Sequence, residues 1–409
     1  MHDTRSVLIL GAGLGGMTAA QTLAGRIAAR VYEPADTLEW LPNLHELVSG
    51  LKRPHNLRVA RAPLLARAGH DWQRLSVTGI DAHRHRVTLA DGSEQAFSHL
   101  IVAVGGARSG YPVPGVDEHA IRCRSVADGH AIALRLQRLA ARPGPVRVVL
   151  VGGGVEGVEV LGELLRGWRR RTGLEITLVE AADRLLPELP VAVADSVRAA
   201  CAGQPVRLLC GRRLQAVSAE AVQLADGEVL AADLVIWSAG VRPSPLLRQS
   251  HLSDPSGFAP VNPLLHSNHA DGVYVIGDAV ASIDGLILPK QAYHAMDMGR
   301  LAALNILAER AGRAPQAYRP AAKPQLVTFG DMDTFLVTPA GRVLAGPALS
   351  TLRELIYQLG LASFDRRRLD RRAWALWRRM LDSGIDGTIT LLRHPGVLRG
   401  WPRFRVLES

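Results

Sequence analysis

The most regular hydrophobic pattern lies near the start of the chain. Val7, Leu8, Ile9 and Leu10 form an apolar run that predicts a buried strand. Gly11, Gly13 and Gly16 follow in a G-x-G-x-x-G turn, residues 17–27 carry a helical pattern, and a second apolar stretch ends at Glu33. The same order returns later. An apolar run from Val146 to Val151 leads into Gly152, Gly154 and Gly157 at the same spacing, a helical pattern over 158–170, and an apolar stretch over 176–179 closing on Glu180. The segments downstream also correspond, HRVTLADGSEQAFSHLIVAVGG (85–106) with EAVQLADGEVLAADLVIWSAG (220–240). A single motif of this kind arises often by chance. A βαβ unit and a hairpin duplicated in order do not, so the pattern predicts two related domains.

Elsewhere the pattern is coarser. Residues 40–50 (WLPNLHELVSG) predict a loop entering a helix at Pro42, short strands are predicted at 75–77, 86–89 and 100–104, and YPVPG at 111–115 reads as a crossover linker. Residues 273–278 (VYVIGD) predict a strand closing on Gly277 and Asp278, and 288–308 a helix with Pro289 in its first turn. From about Tyr318 the character changes: 325–337 and 342–344 predict strands of a separate sheet, followed by Arg-rich helices. The expected fold class is α/β, with two Rossmann-like dinucleotide-binding domains plus a small C-terminal α+β domain. The expected boundaries are 1–112 with 242–318, then 113–241, then 319–409.

Each glycine of the repeated turn has a mechanical job. The first makes the tight turn, the second lets backbone approach a pyrophosphate, and the third lets the helix lie close on its strand. Phosphates belong at the helix N-terminus, where free N–H groups and the dipole favour negative charge. Glu33, at the end of its second strand, is placed to accept hydrogen bonds from a ribose.

Composition narrows the class. The 409 residues are 47% hydrophobic and 21% charged, which describes a folded protein of two or three domains. Cys123, Cys201 and Cys210 form neither a C-x-x-C pair nor a metal spacing, which fits a reducing compartment and a chemistry without thiols. No apolar run approaches the roughly 18 residues of a spanning helix, and no A-x-A cleavage site follows the opening run. The expectation is a cytoplasmic protein whose membrane contact is peripheral. The net charge of +10 fits an anionic partner or surface. Lys52, Lys290 and Lys323 are the only lysines, so each is conspicuous.

Two fingerprints, a strand ending in Gly277-Asp278 and a small C-terminal domain together resemble the two-dinucleotide-binding-domain flavoproteins of glutathione-reductase-like fold. Within these, WLPNLHELVSG, LIVAVGGARSGYPVPGV, VVLVGGGVEGVEVLGEL, LVEAADRLLPEL, DLVIWSAGVRPSPLL and VYVIGDAVA resemble type II NADH dehydrogenases (NADH:quinone oxidoreductases), over most of residues 7–310. The resemblance implies FAD on the first fingerprint, with Glu33 on the adenosine ribose, Asp278 at the ribityl or pyrophosphate portion, and Gly105, Gly277 and Ala292 also at this cofactor. The helix after Pro289 would aim its positive end at the flavin N1/O2 edge, and Lys290 would add to that charge. The second fingerprint would hold the nicotinamide nucleotide, with Gly240 beside it. There Glu180 favours NADH over NADPH, because an acid repels a 2′-phosphate, with Arg184 as the opposing feature. Glu159 is similar to the family's glutamate beside nicotinamide and flavin; the alternative is a helix-face glutamate paired with an arginine.

The disulfide-reductase branch carries a C-x-x-x-x-C pair near residues 40–50, where this chain has Pro42-Asn43-Leu44-His45-Glu46-Leu47. Electrons are therefore expected to leave the flavin directly for a separate acceptor. His45 and Glu46 are candidates to relay protons, against a structural histidine at a helix start. Quinone-reducing members carry an A-Q-x-A-x-Q-Q-like pattern after the Gly-Asp. Here the segment is Ala292-Tyr293-His294-Ala295-Met296-Asp297-Met298, which keeps the alanines and exchanges the glutamines. Tyr293 and His294 are candidate hydrogen-bond donors to a quinone or another carbonyl-bearing aromatic.

Residues 351–409 hold twelve Arg against six acids. In DRRRLDRRAWALWRRML (365–381), Leu369, Ala373, Leu376, Trp377 and Met380 share one helical face and Arg367, Arg368, Arg371, Arg372, Arg378 and Arg379 the other. This predicts an interfacial helix on an anionic membrane, at the inner face of the cell membrane, or a helix packing against its own domain or in a homodimer. No nucleic-acid-binding fold accompanies the basic face, so no nucleic-acid partner is expected. Three functions remain: an NADH:quinone oxidoreductase, a soluble NADH-dependent reductase of a polycyclic or redox-protein acceptor, and a flavin-holding membrane-associated NADH sensor.

Overall fold

The duplication in the sequence is a duplication in space. The computed structural model describes residues 6–107, 110–170, 173–365 and 404–407. The chain divides into two compact units, Met1–Trp40 with Arg58–Gly110 and Val241–Ala321, and Leu41–Leu57 with Tyr111–Gly240 and Ala322–Ser409. Residues 41–57 thus belong to the second unit, as do the residues after 322, which the sequence reading sets apart as a domain of their own. The Arg- and Trp-rich stretch from 366 lies outside the described residues, and with it the amphipathic helix expected there.

The first unit is built on a five-stranded parallel sheet in the order Val273–Val275, His99–Val102, Val7–Leu10, Ala29–Tyr32, Asp71–Gln73. Val7, Leu8 and Ile9 are fully buried, as an uninterrupted apolar run in a parallel sheet requires. The helix after the first turn, Leu14–Leu23, stops short of the expected residue 27 because Gly25 turns left-handed at φ +71°. Helix Ala292–Arg310 crosses it where two glycines meet: a Cβ on Gly299 would lie 2.2 Å from the Gly15 oxygen. That helix starts four residues later than expected. Pro289 disfavours helical geometry at Leu288 before it, and Gln291 is extended at φ −122°, ψ 146°, so Pro289 and Lys290 lie outside the helix. The strand expected at 75–77 begins only at its last residue, as Val77–Asp81, and is preceded by Asp71–Gln73, a polar edge strand with no apolar run to announce it.

The second unit repeats the plan. Its parallel sheet runs Ala120–Arg122, Leu234–Trp237, Val146–Val151, Leu174–Val179, Val206–Leu209. Each unit also carries a three-stranded antiparallel meander, Val77–Asp81, Arg86–Leu89, Glu94–Ala96 in the first and Leu214–Val217, Ala221–Leu224, Val229–Ala231 in the second. Both show a register shift in the first strand.

Three further pieces complete the second unit. Residues 41–47 form a short 3₁₀ stretch, Leu41–Leu47, kinked at Asn43, in place of the expected helix. It lies against helix Val126–Ala140 so closely that a Cβ on Gly129 would come 2.9 Å from Leu47. The C-terminal sheet Gln325–Phe329, Asp333–Val337, Val343–Ala345, Arg405–Leu407 is antiparallel. Its first turn sits on helix Val155–Trp168, where a Cβ on Gly162 would be 2.3 Å from the Gly330 nitrogen. Helix Leu349–Phe364 follows and carries Arg353 inward.

Candidate active site

Both glycine-rich turns have the geometry of a phosphate cradle. Gly11 sits at φ +89° and Gly152 at φ +105°, a region costly for any side chain. A Cβ on Gly16 would lie 2.0 Å from the Gly11 oxygen, and one on Gly157 1.8 Å from the Gly152 oxygen. Gly13 and Gly154 have nothing within 4 Å of a Cβ position, so each turn keeps an open face at its second glycine. The helices that start there have extended N-cap residues and no side-chain cap, leaving their first N–H groups for an anion.

The acid at the end of each second strand is tied to its turn in the same way. Ala12 N–H donates to Glu33 Oε2 at 3.0 Å and Ala35 N–H to Oε1 at 3.0 Å. Gly153 N–H donates to Glu180 Oε2 at 2.5 Å and Ala182 N–H to Oε1 at 2.6 Å. A carboxylate oxygen accepts more than one hydrogen bond, so both acids retain capacity for sugar hydroxyls. The residues present therefore fit two dinucleotides. Arg61, buried on a segment without a motif, donates to the Ala12 and Ala35 oxygens at 3.0 and 2.5 Å and lies 3.7 Å from Glu33. Arg184 is occupied differently: its guanidinium donates to the Leu186, Pro187 and Leu189 oxygens at 2.8, 2.8 and 2.9 Å.

Further candidates of the first unit gather at one cavity. Gly277 and Asp278 open the 3₁₀ turn Gly277–Ala279, and line this cavity with Lys290, Gln291, His294 and Ala295. Ala292 is the first helical residue after it, and Gln291 gives no side-chain cap. Lys290 Nζ donates to the Val280 oxygen and stands 4.5 Å from the Phe258 ring centre. Burial lowers its pKa, against the attraction of Asp278 and Asp254. His294 is buried with Nδ1 3.0 Å from the Tyr318 hydroxyl, and the Tyr293 ring centre is 4.1 Å from its own. Tyr318 lies in a stretch without periodicity, so nothing in the sequence announces it. Gly105 and Gly240 occupy equivalent places after their strands, at φ +62° and +69°.

The second unit holds a buried polar centre. Glu159 Oε1 lies 2.9 Å from Arg353 Nη2, and Glu159 Oε2 3.4 Å from His45 Nδ1. Arg353 also reaches Glu46 Oε1 at 3.2 Å, the Pro42 oxygen at 3.0 Å and His45 Nε2 at 3.2 Å. The Thr328 N–H donates to Glu159 at 3.2 Å. Burial, helped by Arg353, Arg166 and Lys52, holds the His45 imidazole well below its ordinary 6.5, so it is neutral at pH 7. A guanidinium only donates, so Nε2 accepts and Nδ1 carries the proton toward Glu159. Burial raises the Glu159 carboxyl, and Arg353 restrains that rise. The pairing of Glu159 with an arginine is thus real, but it occurs in the interior, with a partner 194 residues away in sequence.

One helical turn on, Glu163 is 1% exposed, accepts from Ser49 Oγ and lies 3.1 Å from Arg166 Nε.

A model of the pyridine nucleotide-disulphide oxidoreductase family matches residues 5–299. The chain belongs to that family. Demethylphylloquinone reductase NdbB of Synechocystis is 28% identical over 87% of this chain and 92% of its own length. The type II NADH:quinone oxidoreductase of Haemophilus influenzae is 23% identical over 80% and 85%. The structure of Plasmodium falciparum NDH2 in complex with NADH superposes with a TM-score of 0.79, at 15% identity, over 92% of this chain and 97% of that one.

The disulphide of the family's name has no counterpart among the described residues. Cys123, Cys201 and Cys210 are free, and burial raises the thiols, Cys201 to about 11. They are therefore protonated and unreactive at neutral pH. Among the described residues no group of three or more His, Cys, Asp or Glu is arranged to hold a metal, and no helix is long and apolar enough to cross a membrane.

Burial pushes the Glu163 carboxyl from 4.5 to about 7. The folded chain then binds that proton more tightly than the unfolded one. The stability this contributes is complete below about pH 4.5 and is lost as pH rises through about 7, on the order of 3 kcal/mol. Urea unfolding at about pH 5 and about pH 8 should show Glu163→Gln losing about 2.5 kcal/mol less than the parent over that interval. Equal losses would mean that Glu163 is not raised.

Proposed function

We propose that the chain is a flavoenzyme that takes hydride from NADH onto FAD and passes the electrons to a quinone. The observation that carries this reading is the repeated tie between a strand-end carboxylate and a glycine turn, Glu33 to Ala12 and Glu180 to Gly153. Two open phosphate cradles in one chain suit a flavin dinucleotide and a nicotinamide dinucleotide. The names of the Synechocystis and Haemophilus relatives support a quinone as the acceptor. So does the cysteine-free segment Leu41–Leu47, which leaves no dithiol to carry electrons through the protein.

FAD, when bound, supplies the chemistry of accepting a hydride and releasing two electrons. The protein supplies the rest. Gly11, Gly13, Gly16 and Glu33 hold the adenine end, with Gly105, Gly277, Asp278 and Ala292 toward the flavin. The positive end of helix Ala292–Arg310, with Lys290, favours negative charge on the reduced ring. Tyr293 and His294 donate hydrogen bonds to an acceptor carbonyl. Gly152, Gly154, Gly157, Glu180 and Gly240 hold NADH. In the buried centre, His45 and Glu159 store and move a proton for the acceptor. Arg184 is spent on backbone oxygens, which removes the cation that would reward a 2′-phosphate.

Steady-state oxidation of NADH and NADPH with a water-soluble quinone tests this. NADH should be favoured at least about tenfold in kcat/KM, and Glu180→Gln should lower kcat/KM for NADH by about tenfold and shrink the preference, about 1.4 kcal/mol of ribose recognition. A flavin that NADH does not reduce would refute the reading. We further place the protein at a membrane surface facing the cytoplasm, on the strength of the Arg/Trp pattern at 365–381 and the excess of arginine there. Flotation with anionic but not with neutral vesicles is the expected result; equal recovery from both would remove the charge argument.

A further inference from the structure

Lys52 is one of three lysines in the chain, and no motif accounts for it. Its Nζ lies 3.2 Å from Glu46 Oε2 and 2.6 Å from Glu354 Oε1, with the side chain 12% exposed. The other oxygen of Glu46 is 3.2 Å from Arg353 Nη1, and Arg353 Nη2 is 2.9 Å from Glu159. Arg353 and Glu354 are neighbours on one helix, and Asn43 Nδ2 donates to Glu354 Oε2 at 3.3 Å. Two adjacent residues of opposite charge are thus each gripped from the segment 41–57.

The charges pair in a definite order. Three buried acids, Glu46, Glu159 and Glu163, stand against Lys52, Arg353 and Arg166. Glu46 divides its two oxygens between Lys52 and Arg353. Arg353 already serves Glu46 and Glu159 together, and without Lys52 the Oε2 atom of Glu46 would be buried without a cation. A buried charge without a partner is costly, so the guanidinium would move toward Glu46 at the expense of Glu159.

We propose that Lys52 is a positioning residue, which neutralises Glu46 so that the Arg353 guanidinium stays on Glu159 and fixes the charge of the centre around it. The consequence for turnover rests on the proposed role of Glu159; the positioning itself does not. Glu159 is faced by His45, Glu46 and, through Glu46, Lys52 from segment 41–57, and by Arg353 and Tyr357 from the C-terminal helix. Glu156, Glu163 and Arg166 lie on its own helix, and Glu159 acts on the buried Cys123 thiol. Lys52 is the group among these that holds the Glu46 oxygen not held by Arg353.

The experiment is an NMR pH titration of the side-chain carboxyl of Glu159 in holoenzyme labelled with ¹³C-glutamate, assigned by its loss in Glu159→Gln. Lys52→Met should move the midpoint up by about one pH unit, whereas Lys52→Arg, and Glu354→Gln, which removes only the outer partner, should leave it within about 0.3. Lys52→Gln replaces the methionine variant should that one not fold. An unmoved midpoint in the charge-deleting variant, or an equal shift in Lys52→Arg, would overturn the proposal. The alkaline limb of kcat for quinone reduction should follow the carboxyl. A carboxyl that moves while the limb stays would uphold Lys52 as positioning residue and refute the role given to Glu159 in turnover.

Discussion

A guanidinium in the protein interior constrains everything near it. Arg353 is 2% exposed, and a buried ion is tolerated only where partners replace its water. Glu46, Glu159, His45 and the Pro42 oxygen provide them, with the Tyr357 ring 4.5 Å away. These groups come from segment 41–57, helix Val155–Trp168 and helix Leu349–Phe364. One side chain therefore joins the 3₁₀ stretch, the second fingerprint helix and the C-terminal helix. Burial keeps His45 neutral with this ion adding to the effect, and the same ion restrains the rise that burial gives the Glu159 carboxyl, so packing and acid–base chemistry are tied together.

The nucleotide sites rest on a simpler device used twice. Each turn places its first glycine in a left-handed conformation, leaves its second glycine uncovered and ties the next residue's N–H to the strand-end acid. The copies differ in their arginines. Arg61 braces the Glu33 turn from outside it, whereas Arg184 is turned onto its own loop. The same backbone module thus recurs with different side-chain surroundings, which the proposed function assigns to a flavin nucleotide at the first turn and NADH at the second.

Much of this was legible in the sequence because it is local. Val7–Leu10 and Val146–Val151 are strands with the expected ends, since an apolar run followed by a glycine turn has few alternatives. Arg86–Leu89 is likewise a strand, set by alternation before Asp91-Gly92. What escaped depends on distance. Nothing near Arg353 marks it as the partner of Glu159, and the charge excess of the tail directed attention to residues beyond it. Tyr318 and Ser49 acquire meaning only from His294 and Glu163. Helix Ala292–Arg310 was shifted for a local reason, since a proline one residue inside a helix and one just before it look alike in a pattern.

In the proposed reaction the flavin passes electrons from NADH to the quinone with no second redox centre between them. Anaerobic titration with NADH counts such centres directly. Full bleaching of the flavin at one equivalent of NADH per bound FAD, followed by full recovery with one equivalent of quinone, is the predicted result. A requirement for a second equivalent of NADH, or bleaching that quinone does not reverse, would contradict it.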